Sequence, residues 1–248
     1  MTAARPLQDR VALVTGSSSG IGAAVARSLA AAGAIVAVNS RSSRAAGEAM
    51  ATDLGGTYHQ ADVADPEQAQ ALIASVAATL GRLDILVNNA GVTRLIPHAD
   101  LEAATPDIWA EIYATNVIAP FVLTTAAIDH LRASPGGGVV VNIGSLAGIR
   151  PTGSSIPYAA SKAAVHHQTR LLAAALGPEV RVNAVAPGLT DTPWTADWVE
   201  AKAGIAAITP VRRIATPDDV AHVVLCQVTS TLVTGEVWVV DGGLQLVR

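Results

Sequence analysis

Short, uncharged, β-branched runs alternate along this chain with longer alanine- and leucine-rich segments of helical length. Val11 to Val14, Ala34 to Val38, Thr57 to Ala61, Leu83 to Val87, Val139 to Ile143, Val180 to Val185 and Glu236 to Val240 read as seven strands. A run such as Val139-Val140-Val141, apolar at every position, suits a strand covered on both faces, as parallel sheets are. The helical segments are Gly22 to Ala32, Ser42 to Leu54, Asp65 to about Leu80, Thr105 to about Arg132 and Pro157 to Leu176. A last helix follows Thr216-Pro217-Asp218. Asp65-Pro66-Glu67 and Thr105-Pro106-Asp107 place a capping side chain before a proline at the first helical position. Pro120 is expected to kink the fourth helix. No linker, repeat or low-complexity stretch interrupts the alternation. The expectation is one α/β domain over residues 1–248, a doubly wound parallel sheet of seven strands, the Rossmann architecture.

Half of the 248 residues are apolar and 15% are charged, enough for a large core and unlike a disordered chain. A net charge of -4 gives no reason to expect nucleic acid or an anionic membrane as partner. The single cysteine, Cys226, leaves no internal disulfide, and no Cys/His spacing suggests a metal. Met1 to Asp9 lacks the basic and apolar regions of a signal segment, and no uninterrupted apolar run approaches ~18 residues. A cytoplasmic protein without a membrane span is expected.

The first strand ends in Thr15-Gly16-Ser17-Ser18-Ser19-Gly20-Ile21-Gly22, before an alanine-rich helix. Glycines there permit positive φ and close approach of a pyrophosphate to the helix N-terminus. The Gly-x-x-x-Gly-x-Gly spacing is weak on its own, since glycine turns between strand and helix also occur without ligands. At the end of the second strand, Val38-Asn39-Ser40-Arg41 carries no carboxylate to accept from a ribose diol. Ser40 and Arg41, with Arg44 nearby, suit a 2′-phosphate instead. NADP(H) is therefore the expected cofactor, with NAD(H) second; a merely solvated Arg41 is the alternative.

Tyr158 and Lys162 stand four residues apart, on one face of a helix. A free phenol titrates near pH ~10, and a neighbouring ammonium is expected to lower that value. The pair reads as a tuned acid/base. With the glycine turn it implies hydride transfer between a nicotinamide and an alcohol or ketone.

Thr15-Gly16-x-x-x-Gly20-x-Gly22, Asp62-Val63, Asn88-Asn89-Ala90-Gly91, Asn116, Ser145, Tyr158-x-x-x-Lys162 and Pro187-Gly188 with Thr192 occur in one order from about Asp9 to Gly243. This set resembles the short-chain dehydrogenase/reductase family, single-domain type, similar to its 3-oxoacyl reductases. The resemblance implies roles. Gly16, Ser18, Ser19, Gly20, Ile21 and Gly22 would line the pyrophosphate, and Ser40 and Arg41 the adenosine ribose. Asp62 and Val63 would meet the adenine; Asn88, Asn89, Ala90 and Gly91 would wall the ribose side. Pro187, Gly188, Thr190 and Thr192 would lie at the nicotinamide, whose ribose Lys162 would bind beside Tyr158. Ser145, Tyr158, Lys162 and Asn116 would be catalytic, with Asn116 holding a water that links Lys162 to solvent.

Residues 189–208 would form a substrate lid, with Trp194 and Trp198 on one face of a short helix, or else packing it to the body. Thr93, Arg94, Leu146, Ala147 and Thr152 are further pocket candidates; Arg94 could pair with an acidic substrate, although a loop arginine is more often solvated. Enoyl reductases of the family carry a tyrosine where Ser155 stands, which argues against double-bond reduction. The weakly basic rim argues against an acidic carrier protein. The expected activity is that of a carbonyl reductase or alcohol dehydrogenase on a small, largely apolar ketone or secondary alcohol. A 3-oxoacyl-[acyl-carrier-protein] reductase and a non-catalytic nucleotide-binding module are the alternatives. His166 and His167 are expected at a subunit interface. A homotetramer is implied through the long helices and the last strand, Val237 to Val240, with Leu244, Leu246 and Val247.

Overall fold

A computed structural model describes residues 5–247; residues 1–4, part of the start read above for a signal segment, and residue 248 lie outside it. Seven strands form one parallel sheet in the order β3-β2-β1-β4-β5-β6-β7. They are β1 Val11–Val14, β2 Ile35–Ser40, β3 Thr57–Gln60, β4 Ile85–Asn88, β5 Gly138–Ile143, β6 Val180–Pro187 and β7 Val237–Val240. Among the described residues the α-helices are α1 Gly20–Ala31, α2 Arg44–Leu54, α3 Pro66–Leu80, α4 Pro106–Tyr113, α5 Ala119–Arg132, α6 Ile156–Leu176, α7 Val199–Ile208 and α8 Pro217–Thr229. Alternate strand residues feed two cores. Ala12, Val14, Val139 and Val141 pack beneath α1 and α8, while Val11, Leu13 and Val140 face α3, α5 and α6. Burial on both faces is why these strands carry no polar alternation.

Strand order reverses between the adjacent strands β1 and β4: from β1 the succession passes through β2 to β3 at one edge, and from β4 through β5 and β6 to β7 at the other. Loops leaving their carboxyl ends diverge there and open a crevice. Asp65 caps α3 as expected, its Oδ1 accepting from Glu67 N (2.9 Å). Thr216 and Asp219 cap α8 reciprocally. Thr105 stands at the N-cap of α4 but makes no side-chain capping bond.

The long helix expected to kink at Pro120 instead passes through one π turn, Ala114–Ile118, between α4 and α5. Pro120 lies in the first turn of α5, where its missing N–H and ring are accommodated after the widened turn. This helical stretch, Pro106–Arg132, has the length and composition of a membrane span (mean hydropathy 1.3). Its apolar residues Leu123, Ala127 and Leu131 are spent on the core beneath the sheet.

Candidate active site

The crevice at the strands' carboxyl ends is a cavity of about 1020 Å³. It runs from the glycine turn past β2 and β3 to the loops after β4, β5 and β6.

At one end Gly16 has φ +62°, and a Cβ there would press to 3.0 Å on the Ala90 Cα. Thr15 Oγ1 accepts from Asn89 N and Ala90 N, both at 3.0 Å. Asn89 Nδ2 donates to Thr15 O (2.8 Å) and Gly16 O (3.1 Å). Asn39, which sequence reasoning passed over, lends Oδ1 to Gly16 N (3.3 Å), while its Nδ2 donates to His59 O (3.1 Å) and Ala61 O (3.3 Å). Three strand ends are thereby tied to one turn. Ser19 caps α1 without a side-chain bond, so the first amides of the helix stay available to an anion. That cradle fits a pyrophosphate.

Gly16, Ser18, Ser19, Gly20, Ile21, Gly22, Ser40, Arg41, Asp62, Val63, Asn89, Ala90, Gly91, Pro187, Gly188, Thr190 and Thr192 all line the cavity, as do Ser145, Tyr158 and Lys162. Asn88 does not. Its Nδ2 donates to Asn142 Oδ1 (2.8 Å) inside the sheet, and Asn142 Nδ2 donates onward to Thr169 Oγ1 (2.9 Å) of α6. The alternation of strand side chains turns Asn88 inward and leaves the wall to the residues after it.

At the adenosine end Arg41 stands 64% exposed, with Nη1 3.8 Å from Asp62 Oδ2. Ser40 Oγ and Tyr58 Oη lie 2.9 Å apart. Arg44 is turned to its own helix, paired with Glu48 at 2.8 Å. Arg41 is thus the guanidinium that faces the cavity here, with Ser42 and Ser43 beside it.

At the other end Ser155 caps α6, its Oγ accepting from Tyr158 N (3.3 Å), so the residue replacing a tyrosine starts the helix that carries Tyr158 and Lys162. Lys162 is buried, and its Nζ donates to Ile143 O (2.8 Å) at the end of β5. Nζ lies 5.7 Å from the centroid of the Tyr158 ring. Burial pulls the ammonium down to about 8. Contrary to the sequence expectation, the phenol is pushed above its usual value, because desolvation disfavours phenolate more than the Ser145 hydroxyl beside it stabilises it. The phenol is therefore a proton donor at rest.

Asn116 sits in the π turn and is buried. Its Oδ1 accepts from Val92 N (2.9 Å), and its Nδ2 donates to Val92 O (3.0 Å) and Ser161 Oγ (3.0 Å). The side chain thus clamps the loop after β4 against α6. Arg94 is likewise engaged, with both Glu111 oxygens at 2.8 Å, so it does not reach the cavity.

Thr93, Leu146, Ala147, Thr152, Trp194 and Trp198 line the cavity as expected. The tryptophans do not share a helix face. Trp194 lies in a 3-10 turn, Pro193–Thr195, and Trp198 is the N-cap of α7, because Pro193 and the turn after it displace the helix start. The Trp194 ring meets Tyr158 edge-on, centroids 6.4 Å apart at 83°. Ser154 was missed: its Oγ lies 2.5 Å from Thr93 Oγ1 and its carbonyl accepts from Ile96 N (2.8 Å), closing two substrate-side loops on each other. Leu244 enters the wall from the chain's end, with no local signal. His167 is exposed, whereas His166 is not at a surface; the loop holding Ser145 covers it.

A doubly wound sheet with a glycine cradle at its switch point and a serine, tyrosine and lysine at the far end defines a nucleotide-dependent oxidoreductase. The chain belongs to the short-chain dehydrogenase/reductase family. Residues 16–245 match the family described as Enoyl-(Acyl carrier protein) reductase. It is 53% identical over 240 residues to the "Granaticin polyketide synthase putative ketoacyl reductase 2" of Streptomyces violaceoruber, covering 95% of this chain and 96% of that one. It is 36% identical to the cis-4-hydroxycyclohexanecarboxylate dehydrogenase of Sinomonas cyclohexanicum over 244 residues, 95% of this chain and 96% of the other. Among solved structures it superposes on a gluconate 5-dehydrogenase from Burkholderia cenocepacia in complex with NADP and tartrate, with TM-score 0.87 and 33% identity over 97% and 96% of the two chains.

Proposed function

We propose that this protein is an NADP(H)-dependent carbonyl reductase, or alcohol dehydrogenase in reverse, for a neutral and largely apolar ketone or secondary alcohol. The observation that carries the reading is the convergence of Ser145, Tyr158 and Lys162 on one wall of the crevice. The turn from Gly16 to Gly22 would hold the pyrophosphate, Arg41 the 2′-phosphate, Asp62 and Val63 the adenine, and Pro187 to Thr192 the nicotinamide. When bound, the nicotinamide supplies or accepts the hydride. Tyr158, kept protonated by burial, donates its proton to the carbonyl oxygen, or takes it back from the alcohol. Ser145 Oγ donates a hydrogen bond to the same oxygen as charge develops there. Lys162 offers its ammonium to the nicotinamide ribose and favours the phenolate that forms. Asn116 acts by fixing Val92 at the edge of the site.

Residues 189–208 form the lid in this reading. Trp194, Trp198, Leu146 and Ile205 give its cavity apolar walls beside the carboxylates Asp197 and Glu200, while Arg94 and the lid's Lys202 are tied to Glu111 and Asp191. Among the described residues the lid offers an acidic substrate carboxylates and an already paired lysine; a flat ring finds Trp194. The second reading, reduction of a 3-oxoacyl thioester, is favoured by the ketoacyl reductase relative.

One panel tests these readings: 1-tetralone, acetone and the acetoacetyl thioester of N-acetylcysteamine, each with NADPH and NADH. Turnover of 1-tetralone well above acetone is expected, with kcat/KM for NADPH at least ~10-fold above NADH, the scale of one charge-assisted contact to phosphate. Arg41→Ala should erase that margin and leave NADH unchanged. Strong preference for the thioester moves the assignment to the second reading; nucleotide binding without turnover of any member moves it to a binding module. A preference for NADH removes the cofactor reading.

We also place the chain in a homotetramer, working in the cytoplasm. Phe121, Ile118 and Leu171 are half exposed on the long helices, and β7 is an edge strand. Unpartnered apolar surface of this kind marks association. Sedimentation at micromolar concentration should give four chains, and a stable monomer overturns it.

A further inference from the structure

We infer that His166 is a positioning residue that holds Ser145 in register with Tyr158, as a neutral imidazole accepting the Ser145 backbone amide. The inference rests on the catalytic reading above and adds a residue to it.

His166 lies one helical turn beyond Lys162 on α6 and is 4% exposed. Ser145 N donates to its Nε2 at 3.4 Å. Nε2 must then carry a lone pair, which assigns the ring proton to Nδ1. The segment Gly144-Ser145-Leu146-Ala147-Gly148 is shaped around the ring. A Cβ at Gly144 would collide with His166 Nε2, and one at Gly148 would stand 2.8 Å from His166 Cε1, besides 2.6 Å from Lys162 C and 2.7 Å from Ala163 N. Glycines flank the serine because the loop closes directly onto the imidazole and the helix behind it.

The loop is held from its other side as well. Gly144 N donates to Val185 O (2.7 Å), and Ala147 N donates to Ser145 Oγ (3.1 Å). His166 completes the set from α6, the same helix that carries Tyr158. Serine and tyrosine are thus referred to one rigid element, the arrangement that precise proton and hydrogen-bond placement needs. The imidazole stays neutral through the working range. Burial first, then Lys162 and Arg170, hold it down to about 4, against a Gly148 backbone bond that acts the other way. The charged side chains bearing on it are those two from α6; the loop contributes Gly144, Ser145 and Gly148, none of which is charged.

Ser145 and His166 are tested together by a double-mutant cycle in the full chain, with 1-tetralone and NADPH. Ser145→Ala, His166→Leu, His166→Gln and the Ser145→Ala/His166→Leu pair are compared. His166→Leu should lower kcat ~10- to 100-fold with KM for NADPH changed less than ~3-fold. His166→Gln, which keeps an acceptor, should recover most of it. In the Ser145→Ala background, His166→Leu should cost no more than ~2-fold, since a residue that acts through the serine hydroxyl has nothing left to place. Full turnover of His166→Leu, or losses that multiply with those of Ser145→Ala, overturn the inference. Should Ser145→Ala itself turn over normally, the catalytic reading fails instead. The native protein offers a check that needs no variant: the imidazole 15N shifts at pH 7 should report an Nδ1–H tautomer, and an Nε2–H tautomer overturns the proposal.

Discussion

Tyr158→Phe should lower kcat by ~10²-fold or more while leaving NADPH affinity within a factor of a few. The expected size is that of losing a positioned general acid. The substitution removes one oxygen from the crevice. The capping bond from Tyr158 N to Ser155 Oγ survives, as does the ring that Trp194 meets edge-on. Folding and nucleotide binding are therefore spared, and the loss falls on proton transfer. Because burial raises the phenol's pKa, the wild-type donor stays protonated through neutral pH, and reduction should not lose activity there through tyrosine ionisation. Single-turnover rates of NADPH oxidation with 1-tetralone measure the effect directly, and wild-type turnover in the variant removes the mechanism.

Lys162→Met should be nearly as damaging to turnover, and here stability moves the opposite way. In the free protein the ammonium titrates near 8 instead of 10.5. The folded state thus binds fewer protons than the unfolded one between those values. Stability from this residue rises with pH across that window, and the full cost of holding the charge, roughly 3 kcal/mol, is present below it. Methionine of similar length removes that cost. The variant should match or exceed the wild type in melting temperature at pH 7 while kcat/KM falls at least ~10²-fold. The same titration predicts that wild-type kcat/KM for NADPH, which reports groups of the free enzyme, declines above pH ~8. A flat profile to pH 10, or a variant that melts far below the wild type, contradicts this account.

Much of the architecture was legible because its signals are local. Apolar runs such as Val139 to Val141 announced strands covered on both faces, and Asp65 and Thr216 announced helix starts through bonds to amides two or three residues on. Strand ends moved by a residue or two, since pairing partners set where a ladder stops: β2 runs on to Ser40 because β3 lies beside it. The π turn carried no such signal. It belongs to the way Asn116 meets Val92 and Ser161 across the crevice.

Within the site, motif order brought Ser145, Tyr158, Lys162 and the glycine turn to one cavity, but residue type did not reveal what each polar side chain does there. Asn88, Asn89 and Asn116 are alike in sequence terms. One is consumed inside the sheet, one ties the glycine turn, and one clamps a loop. Arg41 lines the cavity 3.8 Å from the Asp62 carboxylate, while Arg44 and Arg94 are held at 2.8 Å by Glu48 and Glu111 outside it.

What the chain declares by itself is periodic or short-range: strand and helix alternation, caps, the glycine bend, and a phenol and ammonium one helical turn apart. Those follow from backbone geometry, which each segment carries wherever it sits. The direction of the Tyr158 and Lys162 titrations, the engagement of the asparagines and the place of His166 behind Ser145 came only with the assembled sheet. Desolvation and hydrogen-bond partnership are set by residues far away in sequence, and packing alone decides which of them arrive.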